Sequence, residues 1–271
     1  MTTKHRRTPR AGTPLLAAVG ALAVAAAPLL VMTSSSQAAT APVTAAVAPS
    51  SATSATAAAS AGGPPPPTGT LAGSWQFDGA ASSTSEPDSS GSGNTATPDP
   101  RHPGVTWGGY EPASDSGWAH FDDGILQAPS NPSLEPGNRD IRLDLRLRVT
   151  NGAKGANFIQ KGTSTDKSGF WKIEMTRYIV RCRFIGTSGS ARLQSHALVG
   201  DGRWHTITCT KTATAADLWM DGALEAHQDV VVGTNTNTTD AVSIGGKTIG
   251  GAVSPDDELG GDLDYATYRI G

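Results

Sequence analysis

The chain is poor in the residue types that announce a chemistry. Of its 271 residues only 2 are cysteine, and 6% are aromatic. It has no Gly-x-Ser-x-Gly nucleophile motif, and Gly186-Thr187-Ser188-Gly189 reads more simply as a turn. The histidines His102, His120, His196, His205 and His227 show no metal-ligand spacing. No basic patch is present and the net charge is −3, which argues against nucleic acid as a partner. No long segment carries a helical period and no internal repeat occurs, so a helical bundle and a repeat array are both excluded. The carboxylates of Asp256-Asp257-Glu258 lie in a Gly- and Pro-bearing stretch and read as a solvated turn.

The N-terminal region is set apart from the rest. Lys4, Arg6, Arg7 and Arg10 precede an uncharged run, Leu15 to Met32, and then Ser34-Ser35-Ser36-Gln37-Ala38-Ala39. A basic segment, an apolar run and small residues in that order predict a secretory signal over residues 1–38, cut after Ala38 or Ala39. Arg6-Arg7 followed by Thr8-Pro9 fits a twin-arginine signal poorly. An uncleaved anchor is the alternative, the run being about long enough to span a bilayer. Residues 39–70 are almost all Ala, Ser, Thr, Pro and Val, with a few Gly and no large side chain, so they cannot offset the entropy of ordering and read as a linker. Pro64 to Pro67 favour a stiff polyproline II spacer. The expectation is a secreted or cell-surface protein with no membrane span in its mature form, monomeric, folded over residues 71–271. All aromatic residues fall in that part.

There the dominant period is two. Ile141 to Val149 alternates apolar residues with Arg142, Asp144, Arg146 and Arg148, as a strand with one buried face does. Trp171, Ile173 and Met175 alternate with Lys172 and Glu174, and Val180, Cys182 and Phe184 with Arg181 and Arg183. Asp221-Gly222 between two short runs predicts a hairpin with a type I′ turn. The class is therefore all-β, an antiparallel β-sandwich. Cys182 and Cys209 both sit on apolar faces, which suits a disulfide between strands in an exported chain. Two unpaired buried thiols are the alternative.

Several segments, in order, resemble bacterial laminin G-like and concanavalin A-like jelly rolls. They are Leu71 to Asp78, Asp88 to Asn94, His120 to Gly124, Ile141 to Val149, Asp201 to Thr206, Leu218 to Gly222 and Gly261 to Tyr265. The resemblance covers almost all of residues 71–271. It implies the fold and leaves the activity open, because this fold serves lectins, hydrolases, lyases, adhesion modules and spacers. The Glu-x-Asp-x-x-Glu strand of the family's hydrolases, which supplies nucleophile and acid, is missing.

The resemblance also implies one structural Ca²⁺. Asp78 and Asp264 hold the matching positions, with Asp88 and Asn94 from a nearby loop. Asp264 shares strand parity with Ala266, Tyr268 and Ile270, and an inward carboxylate is costly without a compensating cation or hydrogen bonds. A carboxylate capping turn amides is the alternative. For sugar binding the candidates are Trp107 and Tyr110 in a glycine-bearing segment, and Trp171 beside Phe170. Trp75, Trp204 and Trp219 are expected in the core. The leading expectation is a non-catalytic module for extracellular polysaccharide or glycoprotein, a ligand class that comes from the resemblance. A polysaccharide-active enzyme with a dispersed site is the alternative, favoured if three or more of Glu174, His196, Arg181, Arg183 and Tyr178 converge in one groove. A surface adhesion or spacer domain is the other.

Overall fold

The alternation in Ile141–Val149 is realised as an extended strand whose burial alternates without a break. Leu143, Leu145 and Leu147 are fully buried, while the charged residues between them face out. The structure, a computed structural model, describes residues 63–150, 155–163, 169–235, 239–249, 252–253 and 257–271. The expected signal segment and most of the expected linker lie outside the described residues.

The strands are β1 (Thr70–Trp75), β2 (Thr97–Glu111), β3 (Ser116–Ala128), β4 (Ile141–Val149) and β5 (Gly155–Lys161). They continue as β6 (Phe170–Thr176), β7 (Ile179–Ile185), β8 (Ser190–Leu198), β9 (His205–Lys211), β10 (Ala215–Met220) and β11 (Ala223–Asp229). The last are β12 (Val242–Ile244), β13 (Thr248–Ile249), β14 (Ala252–Val253) and β15 (Gly261–Ile270). All ladders are antiparallel.

Two layers arise from one bent strand. β3 pairs with β15 through Ala119 to Phe121 and with β12 through Leu126 to Ala128. The first sheet therefore runs β11-β10-β9-β4-β15-β3, and the second β3-β12-β5-β6-β7-β8. The corner lies at Asp123-Gly124. Asp123 has φ 56°, the β2 ladder slips its register nearby, and a side chain at Gly124 would strike the Gly104 carbonyl. Such irregularities let one strand serve two sheets.

Apolar faces of both layers meet in a core of Trp75, Phe77, Phe121, Leu143, Leu145, Trp171, Phe184 and Tyr268. Cys182 on β7 and Cys209 on β9 form a disulfide across it, Cα to Cα 6.0 Å. At the far edges β8 and β11 meet through side chains: Gln228 accepts from the Arg192 amide and Glu225 from the His196 amide. The β10–β11 hairpin turns at Asp221 and Gly222, φ 51° and 81°, as Asp-Gly requires.

Candidate functional site

The register of the second sheet lines up its outward side chains. Gln127 opposes Ser243, Ser243 opposes Gln160, and Gln160 opposes Lys172. Lys172 then opposes Arg183, and Arg183 opposes Arg192. A second row runs Asn157, Glu174, Arg181, Gln194. The intervening residues Ile159, Ile173, Met175, Val180 and Cys182 fill the core, so both rows lie on the opposite face.

An outer face should be wet, yet this one is recessed. Asn157, Gln160 and Ser243 are all but fully buried, and the Lys172 and Glu174 side chains are only 12% and 13% exposed. Lys172 Nζ donates to Glu174 Oε2 and, at 3.3 Å, to Asn157 Oδ1. Arg183 Nε lies 2.9 Å from Glu174 Oε1. Gln160 Nε2 donates to the Gly162 carbonyl at 2.5 Å. Burial pulls the Lys172 pKa below its usual value, and the Glu174 carboxylate opposes that shift. Three polar atoms here are buried without a hydrogen-bond partner, Gln160 Oε1, Arg181 Nε and Glu174 Oε1, the last held only by its ion pair with Arg183. Native proteins leave few such atoms, and each calls for an explanation.

The outward face of the first sheet is arranged differently. There Arg142 pairs with Asp144 at 2.7 Å, Arg146 with Asp264 and Arg148 with Asp262 at 2.5 Å. Arg146 stacks 4.6 Å from the Trp204 ring, and Arg148 lies 4.8 Å from Trp204 and 5.2 Å from Trp118. Trp204 Nε1 donates to Glu111 Oε2 at 2.7 Å. These charges are compensated from within, and both rings already carry guanidinium groups. Trp204, expected in the core, is half-buried here; Trp75 is in the core and Trp219 is buried outside it.

The sequence-predicted sugar residues do not converge. Trp171 is fully buried and packs 4.6 Å from the Tyr268 ring, so it offers no face to a ligand. Phe170 is buried as well. Trp107 is a core residue whose Nε1 donates to Glu86 Oε2 at 2.7 Å. That carboxylate, its pKa raised by burial, also accepts the Phe77 amide. Tyr110 alone is open, 60% exposed near the β2–β3 turn, its hydroxyl donating to Asp115.

The residues proposed for calcium already have protein partners, apart from Asn94 Oδ1, which is buried without one. Asp264 is inserted by a bulge between Leu263 and Tyr265, and its carboxylate takes the outward-facing Arg146 with the Ser116 hydroxyl at 2.8 Å. A guanidinium thus supplies the compensation that the sequence assigned to a metal. Asp78 accepts the Gly117 amide. Asp88 accepts the amides of Ser74, Ser90 and Asn94, and the Asn94 side chain donates to the Ala72 carbonyl. Among the described residues, His102, Asp123 and Glu258 bring potential ligand atoms within 4.8 Å, with His102 Nδ1 already 2.6 Å from Asp123.

Sequence reasoning missed Asn157 and Gln160 entirely and took Lys172 for a solvent-facing residue. Period two tells which face a side chain is on, not whether that face is recessed.

A family model for laminin G-like domains, described as the concanavalin A-like lectin/glucanases superfamily, matches residues 127–267. The chain belongs to that superfamily. Solved structures agree on the jelly roll. Domain 4 of AbnA, a GH43 extracellular arabinanase from Geobacillus stearothermophilus solved with arabinotriose, matches at 13% identity and TM-score 0.55, over 76% of this chain and 94% of that one. The binding domain of Paraclostridial Mosquitocidal Protein 1 matches at 14% and 0.54, over 74% and 48%. A botulinum neurotoxin type C structure, reported for cell entry dependent on two ganglioside molecules, matches at 13% and 0.53, over 74% and 48%. The chain spans between 27% and 48% of the first solved chains it matches. No curated protein matches it. These likenesses establish the fold alone.

Proposed function

We propose that this protein is a secreted, non-catalytic glycan-binding module whose site is the recessed outer face of β5, β6 and β7. One observation carries the reading: a strand face lined by Asn157, Gln160, Lys172, Glu174, Arg181 and Arg183 is desolvated but incompletely hydrogen-bonded. Sugar hydroxyls both donate and accept, so they can satisfy Gln160 Oε1 and Arg181 Nε together. The arabinotriose complex of the arabinanase domain, matched over 94% of its length, supports the same ligand class. Polysaccharide or glycoprotein outside the cell is the partner this reading names.

A second reading, a polysaccharide-active enzyme, has one observation in its favour. Glu174, Arg181 and Arg183 do share the groove, beside a lysine of lowered pKa. His196 and Tyr178 do not join them: the His196 side chain is 87% exposed beside Glu225, and Tyr178 packs over Gly200. Glu174 is the groove's only carboxylate among the described residues of β5 to β8, so a two-carboxylate hydrolysis has no second group there.

The test is retardation of the purified protein in native gels cast with soluble polysaccharides. Slowed migration in at least one, with no shortening of the polymer, is expected. Unchanged mobility in every polymer by a protein that melts cooperatively would overturn the reading, and a shortened polymer would replace it with the enzyme.

A further inference from the structure

The groove carries a charge imbalance that the fold does not need. Along β6, β7 and β8 the outward charged residues in the two rows are Lys172, Arg181, Arg183 and Arg192, against Glu174. Lys172 sits directly opposite Arg183, and Arg183 directly opposite Arg192. Like charges in directly opposed positions of an antiparallel ladder destabilise it. Glu174 is shared between Lys172 and Arg183. Among the described residues no carboxylate pairs with Arg181 or Arg192, and Arg181 keeps a buried, unpartnered Nε–H. On the other sheet, Arg142, Arg146 and Arg148 each have their own aspartate. A chain of net charge −3 thus sets two guanidinium groups without a carboxylate among the described residues, half-buried Arg181 and exposed Arg192, on and beside this face.

Resting on the glycan-binding reading above, we propose that the groove takes an acidic glycan, whose carboxylate or sulfate groups pair with Arg181, Arg183 and Arg192. Guanidinium matches both oxyanions with paired N–H donors, and a recessed site screens that attraction less than open surface does. Gln160 and Asn157, one strand over, then face the sugar hydroxyls rather than the acid group.

Titration calorimetry on the purified full chain tests this with matched polymers. Polygalacturonate against its methyl ester reports a carboxylate, and dextran sulfate against dextran reports a sulfate. Expected is binding to one charged polymer at least roughly tenfold tighter than to its neutral counterpart, weakening as salt rises. Arg181→Gln and Arg183→Gln should each weaken it by about ten- to a hundredfold, as loss of a charged hydrogen bond does, with the melt unchanged in Arg181→Gln, whose side chain has no ion pair among the described residues. Arg146→Gln, on the other sheet, should leave it intact. Equal binding of charged and neutral polymers, lost in Gln160→Leu, would overturn the acidic ligand and leave the glycan-binding reading standing. Charge-selective binding that survives Arg181→Gln and Arg183→Gln but fails in Arg146→Gln would overturn both, as would binding of no polymer at all.

Discussion

Arg183 reaches from β7 to set its Nε 2.9 Å from Glu174 Oε1, while the other oxygen of the same carboxylate takes Lys172 from its own strand. One anion therefore holds two half-buried cations on the groove floor. Glu174→Ala should destabilise the fold by roughly 2 kcal/mol, because it leaves the desolvated Lys172 ammonium with only Asn157. Chemical denaturation checks this. Lys172→Met in the same background should recover part of the loss, and strict additivity of the two changes would contradict the coupling.

A second buried pair lies on the core side. Lys161, 1% exposed, meets Glu135 at 3.0 Å and donates to the Asp240 carbonyl. Burial raises the Glu135 pKa, and Lys161 pulls it back. Lys161→Met should cost about 3 kcal/mol by stranding the carboxylate. Adding Glu135→Gln should restore most of it. A melt of Lys161→Met equal to wild type would refute the pairing.

The disulfide joins the two sheets across 27 residues of sequence. Constraint of the unfolded chain by a loop of this size is worth roughly 3–4 kcal/mol in the entropy model. Melting with and without reductant should therefore differ by on the order of 10 °C. Identical melts would show that the bond adds nothing to the folded state's advantage.

His205 gives the fold a pH signature. Its Nδ1 lies 2.7 Å from Asp221 and its Nε2 2.9 Å from Asp201. Burial disfavours the charged ring, but the two carboxylates outweigh it, so the pKa is raised above 6.5. A raised histidine stabilises the fold fully below about pH 6.5 and loses that contribution as pH climbs through the folded value. The melting advantage of wild type over His205→Gln should shrink from mildly acidic to alkaline pH. An advantage that grows with pH would show that the ring is neutral when folded.

Calcium should have no effect on the melt, and chelator none either. Asp264 already has Arg146, Asp78 and Asp88 accept main-chain amides, and Asn94 alone keeps a buried oxygen, Oδ1, without a partner. A rise in melting temperature with Ca²⁺ that Asp264→Ala abolishes would contradict this.

The elements of the fold were legible wherever one rule acted alone. Ile141 to Val149 alternates in sequence and in burial, and Asp221-Gly222 turns as its backbone freedom dictates. Errors arose where tertiary context intervened. The bulge at Asp264 broke the parity that pointed its carboxylate at the core. Trp107 looked like a loop aromatic until the Glu86 carboxylate, far along the chain, was seen to receive its indole N–H. The groove was invisible because Gln160 and Asn157 are ordinary polar residues of a strand until neighbouring segments bury them.

The most direct test compares the two outer faces. Titration calorimetry with the polymer that retards the wild type in gels should show binding lost in Gln160→Leu and kept in Trp204→Ala. Binding kept in Gln160→Leu and lost in Trp204→Ala would move the site to the aromatic face of the first sheet and contradict the account.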